Sequence, residues 1–162
     1  MEWSERYALG IARMDETHRE FVDFCNELSA AAPESETFLG RLDAFIAHTV
    51  AHFDQENRWM EAVNFPPCHR EEHDRVLAVA REVRQRVEKG DLFLGRRLLE
   101  ELVPWFDNHL DTMDSALAFY LKEIGFDTEI EKLPENGAAP ALPPVHNACS
   151  CAVADDGGTD SD

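Results

Sequence analysis

The stretch from Glu36 to Val63 constrains the fold of this chain more than any other feature of the sequence. Its apolar side chains recur every three to four residues, which is the period of an α-helix, so they share one face. That face consists, in order, of Leu42, Phe45, Thr49, His52, Glu56 and Trp59, so it also carries three polar residues. A long helix with one apolar face has to bury that face against other helices.

Three further stretches have the same helical period, and short breaks separate them. We predict helices over residues 16–31, 36–63, 68–88 and 92–122. Asp15 and Ser35 are the expected N-caps of the first two helices. Pro104 predicts a kink in the last helix, or a break before Trp105. Short connections between long amphipathic helices favour an all-α, antiparallel up-down four-helix bundle, preceded by an N-terminal arm.

The composition changes near Gly125, where Pro, Ala, Gly and Asp replace the apolar period. We therefore predict a bundle domain over residues 1–126 and a disordered, acidic C-terminal tail over residues 127–162. This tail contains His146, Cys149 and Cys151. Two hypotheses are open for them, a site for a soft metal or for thiol chemistry, and a tail with incidental thiols.

Charge and hydropathy exclude several classes of partner. The formal net charge of −18 argues against nucleic acid and anionic membranes, and the acidic surface favours a monomer. No apolar run is long enough to span a bilayer, and the N-terminus lacks the pattern of a secretory signal. We therefore expect a cytoplasmic protein with no membrane insertion. In that reducing compartment the cysteines should be free thiols, with Cys25 and Cys68 buried in helices.

Six of the seven histidines fall in the predicted helices, on the apolar stripes. His52 and Glu56, like His69 and His73, are four residues apart and therefore lie on one helix face. A single buried histidine is ordinary. A group of five or six, together with Glu56 and Asp114, is hard to satisfy by hydrogen bonds alone, because each unpaired buried polar group costs about 1–3 kcal/mol. The pattern therefore predicts a metal site inside the bundle.

Several motifs, in the same order, resemble those of the bacterial hemerythrin domain, and the resemblance covers roughly residues 3–121. The N-terminal motif "W…Y.LGI..MD..H" is filled by Trp3, Tyr7, Leu9, Gly10, Ile11, Met14, Asp15 and His18. The later motifs are filled by His52, Phe53, Glu56 and Met60, by His69 and His73, and by Trp105, His109 and Asp114.

The resemblance implies two iron ions joined by an oxo or hydroxo bridge. The resemblance implies that one ion is bound by His69, His73 and His109, and the other by His18 and His52. Glu56 and Asp114 are the implied bridges between the two ions. This set leaves one coordination position open, on the ion with two histidines, where dioxygen would bind. The implied function is reversible dioxygen binding for storage, transport or delivery, with a protein partner as a further candidate to receive the oxygen. It is not an enzymatic function.

The same resemblance leaves other functions open. Related domains sense oxygen or redox state, and a di-iron site of this kind could reduce peroxide or nitric oxide. Iron storage would need an oligomeric cage, which nothing in the sequence suggests. The same ligand types also bind manganese or zinc.

Helical periodicity does not reproduce one implied ligand. Asp114 lies five residues after His109, which places it about 140° away from the histidine on an ideal helix. Bridging geometry, side-chain reach or a local widening of the helix would reconcile the two positions. Asp111 is the weaker alternative.

Five other residues carry a hypothesis each. Phe21, Trp59 and Met113 are candidates to line an apolar oxygen pocket, or else belong to the core. His48 lies one turn before His52, so we expect a buried, hydrogen-bonded residue near the site or at its entrance. Asn57 stands where many relatives have a second glutamate, and we expect that change to affect only the surface or the support of a ligand.

Overall fold

The computed structural model describes residues 1–31 and 36–135 of the chain. Its helices are α1 (Ala12–Ser29), α2 (Glu36–Ala62), α3 (Cys68–Glu88), α4 (Leu92–His109) and α5 (Ser115–Glu123). A π-helical turn, Leu110–Asp114, joins α4 to α5, and a short 3₁₀ turn, Glu5–Tyr7, lies in the N-terminal arm. Helices α1 to α4 pack on their neighbours along the chain, and α1 also packs on α4. The predicted all-α four-helix bundle is therefore confirmed.

The connections after α2 and α3 are short because backbone N–H groups turn back onto the last carbonyls of each helix. After α2, Asn64 has a left-handed backbone with φ of 52°, and the Phe65 N–H donates to the Met60 carbonyl at 2.8 Å. After α3, Gly90 has φ of 96°, and the Asp91 N–H donates to the carbonyl of residue 86 at 2.9 Å. These closed turns reverse the chain and make consecutive helices antiparallel.

The first helix begins earlier than predicted, at Ala12, so the prediction of Asp15 as its N-cap is wrong. The Asp15 carboxylate accepts hydrogen bonds from the backbone N–H groups of Leu9, at 2.6 Å, and Gly10, at 3.0 Å. The side chain thus reaches back past the start of the helix to the N-terminal arm, residues 1–11. A cap pattern in the sequence does not distinguish these two positions, because both satisfy N–H groups near a helix start.

The last long helix runs through Pro104, so the predicted break before Trp105 is wrong. Both Pro104 and Glu100 are exposed, and water can therefore bond to the Glu100 carbonyl that the proline cannot satisfy. The irregularity lies further along the chain, at Leu110–Asp114, where the helix widens into the π form.

The interior of the bundle consists of two apolar clusters. The buried members of the large apolar cluster are Tyr7, Phe21, Val22, Cys25, Leu28, Phe38, Leu42, Phe45, Val83, Val87, Leu98, Leu102, Phe106 and Leu110. Those of the small apolar cluster are Ile11, Met14, Trp59, Met60, Val63, Leu117, Ala118, Tyr120, Leu121 and Phe126. Phe21 and Trp59, two candidates for an oxygen pocket, therefore belong to different clusters.

Along the helices, buried polar residues lie between members of these two clusters. On α1, for example, His18 lies between Met14 of the small apolar cluster and Phe21 of the large apolar cluster. We call the five buried histidines together with Glu56 and Asp114 the polar layer; it consists of His18, His52, Glu56, His69, His73, His109 and Asp114.

After α5 the chain folds back on the bundle as far as residue 135. Leu133 packs on the small apolar cluster, and the Glu131 carboxylate lies 3.2 Å from the Arg58 guanidinium. The division of the chain at residue 126 stays a prediction, because residues 136–162 lie outside the described part. In the part that is described, no helix combines the length and the apolarity needed to cross a membrane.

The cysteines differ from the prediction of free thiols. Cys25 is a buried, free thiol, and burial raises the pKa of this thiol to about 12. Cys68, however, is disulfide-bonded, so for this residue the prediction is wrong. It is the first residue of α3. The predicted tail site, His146, Cys149 and Cys151, lies outside the described residues.

Candidate metal centre

All seven members of the polar layer lie at the same level of the bundle, and each is at most 4% exposed. They divide into a three-histidine group and a two-histidine group, which share a carboxylate. The three-histidine group is contributed by α3 and α4 and consists of His69, His73 and His109. The two-histidine group is contributed by α1 and α2 and consists of His18 and His52.

The three-histidine group points its imidazole nitrogens at one another. The Nε2 atom of His109 lies 3.1 Å from Nε2 of His69 and 3.2 Å from Nε2 of His73. Two nitrogen ligands at right angles, each about 2.1 Å from one ion, lie about 3 Å apart. The separation of these nitrogens is therefore the one that a shared metal ion requires.

The Asp114 carboxylate faces both groups. Its Oδ2 atom lies 3.3 Å from Nε2 of His18, in the two-histidine group. Its Oδ1 atom lies 3.1 Å from Nε2 of His69 and 3.2 Å from Nε2 of His109, in the three-histidine group. One oxygen on each side is the arrangement of a bridging carboxylate.

The Glu56 carboxylate is divided in the same way. Its Oε1 atom lies 3.1 Å from Nε2 of His52, in the two-histidine group. Its Oε2 atom lies 3.5 Å from Nε2 of His73 and 3.7 Å from Nε2 of His69. Both carboxylates thus extend across the gap between the groups.

The π-helical turn explains how Asp114 reaches the site although it lies five residues after His109. A π-helix pairs residues five apart, where an α-helix pairs residues four apart, so the wider turn brings the carboxylate onto the histidine's side. Asp111, the weaker alternative, is exposed and lies 3.6 Å from the Arg6 guanidinium. Of the three explanations offered from sequence, local widening is therefore the one that the structure contains.

Hydrogen bonds within the chain do not satisfy the polar layer. Nε2 of His18, Oε2 of Glu56 and both carboxylate oxygens of Asp114 are buried without a hydrogen-bond partner among the described residues. Each such atom costs about 1–3 kcal/mol when it stays unpaired. Imidazole nitrogens and carboxylate oxygens that converge in this way fit a metal ion, which bonds to all of them together.

The electrostatics favour the metal-binding protonation state at Asp114 and His73. Burial raises the pKa of the Asp114 carboxyl, but the charge of His109 and the close approach of the His109, His18 and His69 imidazoles hold it well below its ordinary value. Burial lowers the pKa of His73, and the neighbouring imidazoles lower it further. An ionised Asp114 and a neutral His73 both have lone pairs free for a metal ion. At His18 and His109 burial lowers the pKa, but the neighbouring Asp114 carboxylate raises it above the ordinary value, so these two imidazoles must lose a proton when they bind a metal ion.

Two histidines of the layer are held by partners on their outer nitrogens. Nδ1 of His18 lies 3.2 Å from the Tyr7 carbonyl oxygen, and Nδ1 of His73 lies 3.1 Å from Oδ1 of Asn57. Such contacts fix the tautomer and the orientation of a ligating imidazole. Tyr7 belongs to the N-terminal motif, but its position in that motif does not predict the contact between its backbone carbonyl and His18.

Aromatic rings cover the three-histidine group. Phe53 stacks on His73 with ring centroids 3.8 Å apart and planes 3° apart, and Trp105 stacks on His109 at 4.7 Å. Sequence reasoning did not assign these two rings to the site, although each belongs to a motif that also contains a histidine. Met113, the third candidate for an oxygen pocket, is half-buried next to Asp114, and the pocket itself stays a prediction.

His48 lies outside both candidate metal groups of the described residues. Its ring stacks on Phe24 at 4.8 Å, and its Nδ1 atom lies 3.5 Å from the exposed Glu20 carboxylate. Burial and the neighbouring His52 lower the pKa of His48. Its expected role near the site or at its entrance stays a prediction.

Known proteins are similar in sequence over the region that contains this centre. The family model of the Hemerythrin HHE cation binding domain matches residues 9–120. A bacteriohemerythrin of Ralstonia nicotianae is 51% identical over 134 residues, which are 81% of this chain and 96% of that protein. A bacteriohemerythrin of Stenotrophomonas maltophilia is 27% identical over 124 residues, 74% of this chain and 80% of that one. A bacteriohemerythrin of Aquifex aeolicus is 30% identical over 111 residues, 65% and 85% of the two chains.

These matches and the geometry lead to the same cofactor. The family model spans more than half of the chain and includes every member of the polar layer. Hemerythrins bind a pair of iron ions, and two groups of ligands joined by two carboxylates fit such a pair. The chain therefore belongs to the hemerythrin family.

Proposed function

We propose that this protein binds dioxygen reversibly at a pair of iron ions, for oxygen storage, transport or delivery. The observation that carries the proposal is the unequal division of the five histidines around two shared carboxylates. With equal coordination numbers, the ion beside two histidines keeps one position more for an external ligand than the ion beside three.

The ligands we propose are the seven residues of the polar layer, with Glu56 and Asp114 as bridges. The pair of iron ions supplies, when bound, the two electrons that reversible dioxygen binding uses. The protein contributes a rigid, buried setting, because the layer lies between two apolar clusters that limit the access of water. Phe21, Trp59 and Met113 remain our candidates for the apolar lining.

We propose a binding protein and not an enzyme. Bundles that activate oxygen for chemistry have carboxylate-rich sites built on Glu-x-x-His pairs, one from each of two helices. Here five imidazoles and only two carboxylates make up the layer. A histidine-rich set with one open position is suited to holding and releasing a ligand.

The test is the visible spectrum of the iron-loaded, full-length protein in air, after dithionite, and after renewed exposure to oxygen. We expect charge-transfer bands that bleach on reduction and return as the oxygenated form through repeated cycles. Asp114→Asn should abolish the cycle, because one bridging charge is lost. Asp111→Asn is the matched control on the same turn, and it should cycle like the unchanged protein, since Asp111 is exposed.

Two outcomes would contradict the proposal. Bands that return only as a stable oxidised species would exclude oxygen carriage. Rapid consumption of peroxide or nitric oxide, with many turnovers per chain, would replace the binding function by an enzymatic one.

The proposed setting is a monomer in the cytoplasm that exchanges oxygen with a protein partner. The acidic surface supports the monomeric state, because like charges repel one another. Size-exclusion chromatography and cell fractionation test it, and a dimer or an extracytoplasmic pool would contradict it. An extracytoplasmic pool would agree with the disulfide at Cys68, because disulfides are typical of oxidising compartments.

A further inference from the structure

The outer nitrogens of the five histidines in the polar layer are not equivalent. Within the described residues, three of them are buried without a hydrogen-bond partner, namely Nδ1 of His52, His69 and His109. Nδ1 of His18 lies against a backbone carbonyl, that of Tyr7. Nδ1 of His73 lies against a side chain, that of Asn57, at 3.1 Å. His73 is therefore the histidine whose outer contact depends on the identity of a single residue.

Helix α2 holds His73 from two sides. Phe53 and Asn57 are four residues apart on α2, so both face α3. The Phe53 ring lies flat on the His73 ring, with centroids 3.8 Å apart, while the Asn57 amide meets the ring edge at Nδ1. His73 is fully buried, whereas Asn57 is partly exposed, so the contact joins the polar layer to the edge of the bundle.

In the structure, the Asn57 amide turns its Oδ1 atom, and not its NH₂ group, toward Nδ1 of His73. A carbonyl oxygen only accepts hydrogen bonds, so Nδ1 must be the donor and Nε2 keeps its lone pair. That lone pair faces the three-histidine group, where Nε2 of His73 lies 3.2 Å from Nε2 of His109. The contact thus selects the tautomer that can bind a metal ion at Nε2.

The charge of the acceptor matters as well. A carboxylate on the outer nitrogen of a ligating imidazole makes the imidazole a stronger electron donor. The Asn57 amide is neutral, so His73 donates less electron density to an ion than it would with a carboxylate partner. An ion beside a weaker donor favours its lower oxidation state.

We propose that Asn57 is a positioning residue that fixes His73 in the Nδ1–H tautomer and, as a neutral acceptor, favours the reduced state of the three-histidine side. This inference rests on the metal site of the proposed function and deepens it. It makes no use of dioxygen, so it can be tested separately.

Two substitutions separate the two parts of the proposal. Asn57→Asp keeps the shape of the side chain and supplies a charged acceptor. Asn57→Leu keeps the branching at Cγ and the number of side-chain heavy atoms, and it removes the acceptor. Gln55→Glu is the matched control, because it adds the same charge to α2, where Gln55 accepts from Arg13 and donates weakly to Glu131 but contacts no histidine.

The first measurement is the Zn²⁺ affinity of the metal-free, full-length chain, by competition with a chelator. We expect Asn57→Leu to bind zinc 10–100-fold more weakly, the usual effect of losing such a partner. Asn57→Asp and Gln55→Glu should bind it at least as tightly as the unchanged chain. Equal affinity for the Leu variant would overturn the positioning role.

The second measurement is the midpoint potential of the iron-loaded chain, by mediated redox titration. We expect Asn57→Asp to shift the ferric–ferrous equilibrium about tenfold toward the ferric state, a potential lower by about 59 mV for one electron. Gln55→Glu should shift it much less. Equal potentials for Asn57→Asp and the unchanged chain would overturn the charge effect.

These results are distinguishable from a failure of the proposed function. If the unchanged chain binds no metal, both the function and this inference are wrong. If it binds iron but does not bind dioxygen reversibly, only the function is wrong, and the Asn57 comparison still decides the inference.

Discussion

The large apolar cluster and the polar layer are neighbours in the bundle, yet they depend on different interactions. The cluster is completed by the chain itself, through contacts such as the stacked rings of Phe21 and Phe106, whose centroids are 4.5 Å apart. The layer buries nitrogens and oxygens that the described chain does not satisfy, Nε2 of His18 and both oxygens of Asp114 among them. Burial is thus favourable in the cluster, and in the layer it becomes favourable only with a metal ion.

This difference indicates a division of labour. The large apolar cluster should set the stability of the fold whether or not metal is bound. The polar layer should lower the stability of the metal-free chain and raise that of the loaded chain. Four predictions test this division, from the largest expected effect to the smallest.

Removal of the metal should have the largest effect. A ligand that binds only the folded chain, at a free concentration about 1,000 times its Kd, contributes about 4 kcal/mol to the free energy of unfolding. For a bundle of this size we expect the melting temperature to fall by roughly 10 °C or more after chelation, and to recover when iron is restored. Calorimetry of the two forms measures the difference; equal melting temperatures would contradict the division.

Leu42→Ala should destabilise the loaded and metal-free forms equally. Leu42 is fully buried in the large apolar cluster, and the deletion of such a side chain costs about 2–5 kcal/mol. Urea denaturation measures the loss of unfolding free energy, and metal analysis should find unchanged iron per chain. A lower iron content in the folded variant would mean that the cluster and the layer are not independent.

Gly10→Ala should have a moderate effect on both regions. Gly10 has φ of 74°, and an added Cβ would lie 2.8 Å from Nζ of Lys122, which donates to the Leu9 carbonyl. The left-handed backbone costs an alanine about 1–2 kcal/mol. Because the N-terminal arm also presents the Tyr7 carbonyl to His18, zinc affinity should fall too. Undiminished zinc affinity in a destabilised variant would show that the arm does not support the layer.

Tyr7→Phe should have the smallest effect, and on stability alone. The Tyr7 hydroxyl donates to Asp107 at 2.9 Å, a hydrogen bond that contributes about 1 kcal/mol. The contact with His18 comes from the backbone carbonyl of Tyr7, which the substitution retains. Chemical denaturation and zinc competition on the same sample separate the two effects; a zinc affinity lowered tenfold would contradict this assignment.

The sequence was sufficient for the bundle because helical periodicity reports which face of each helix is buried. The i, i+4 pairs His52–Glu56 and His69–His73 are the clearest example, since regular α-helix brings both members to the same side. The buried position of His18 could be predicted in the same way, because His18 continues an apolar stripe on α1.

Departures from regular geometry could not be predicted in this way. The π-helical turn before Asp114 changes the period for five residues, and no property of a single residue signals it. The contact between Asn57 and His73 depends on how α2 lies against α3, which periodicity within one helix does not determine. The disulfide at Cys68 is likewise absent from local sequence patterns.

The most direct test of the metal centre is a joint measurement of iron content and magnetic coupling in the oxidised, full-length protein. Glu56 and Asp114 each face both histidine groups, so two ions held by them would lie close enough to couple. We predict two iron ions per chain and an antiferromagnetically coupled pair that is silent in electron paramagnetic resonance. A single iron per chain, or two that give the resonance of isolated ferric ions, would contradict a centre with two bridging carboxylates.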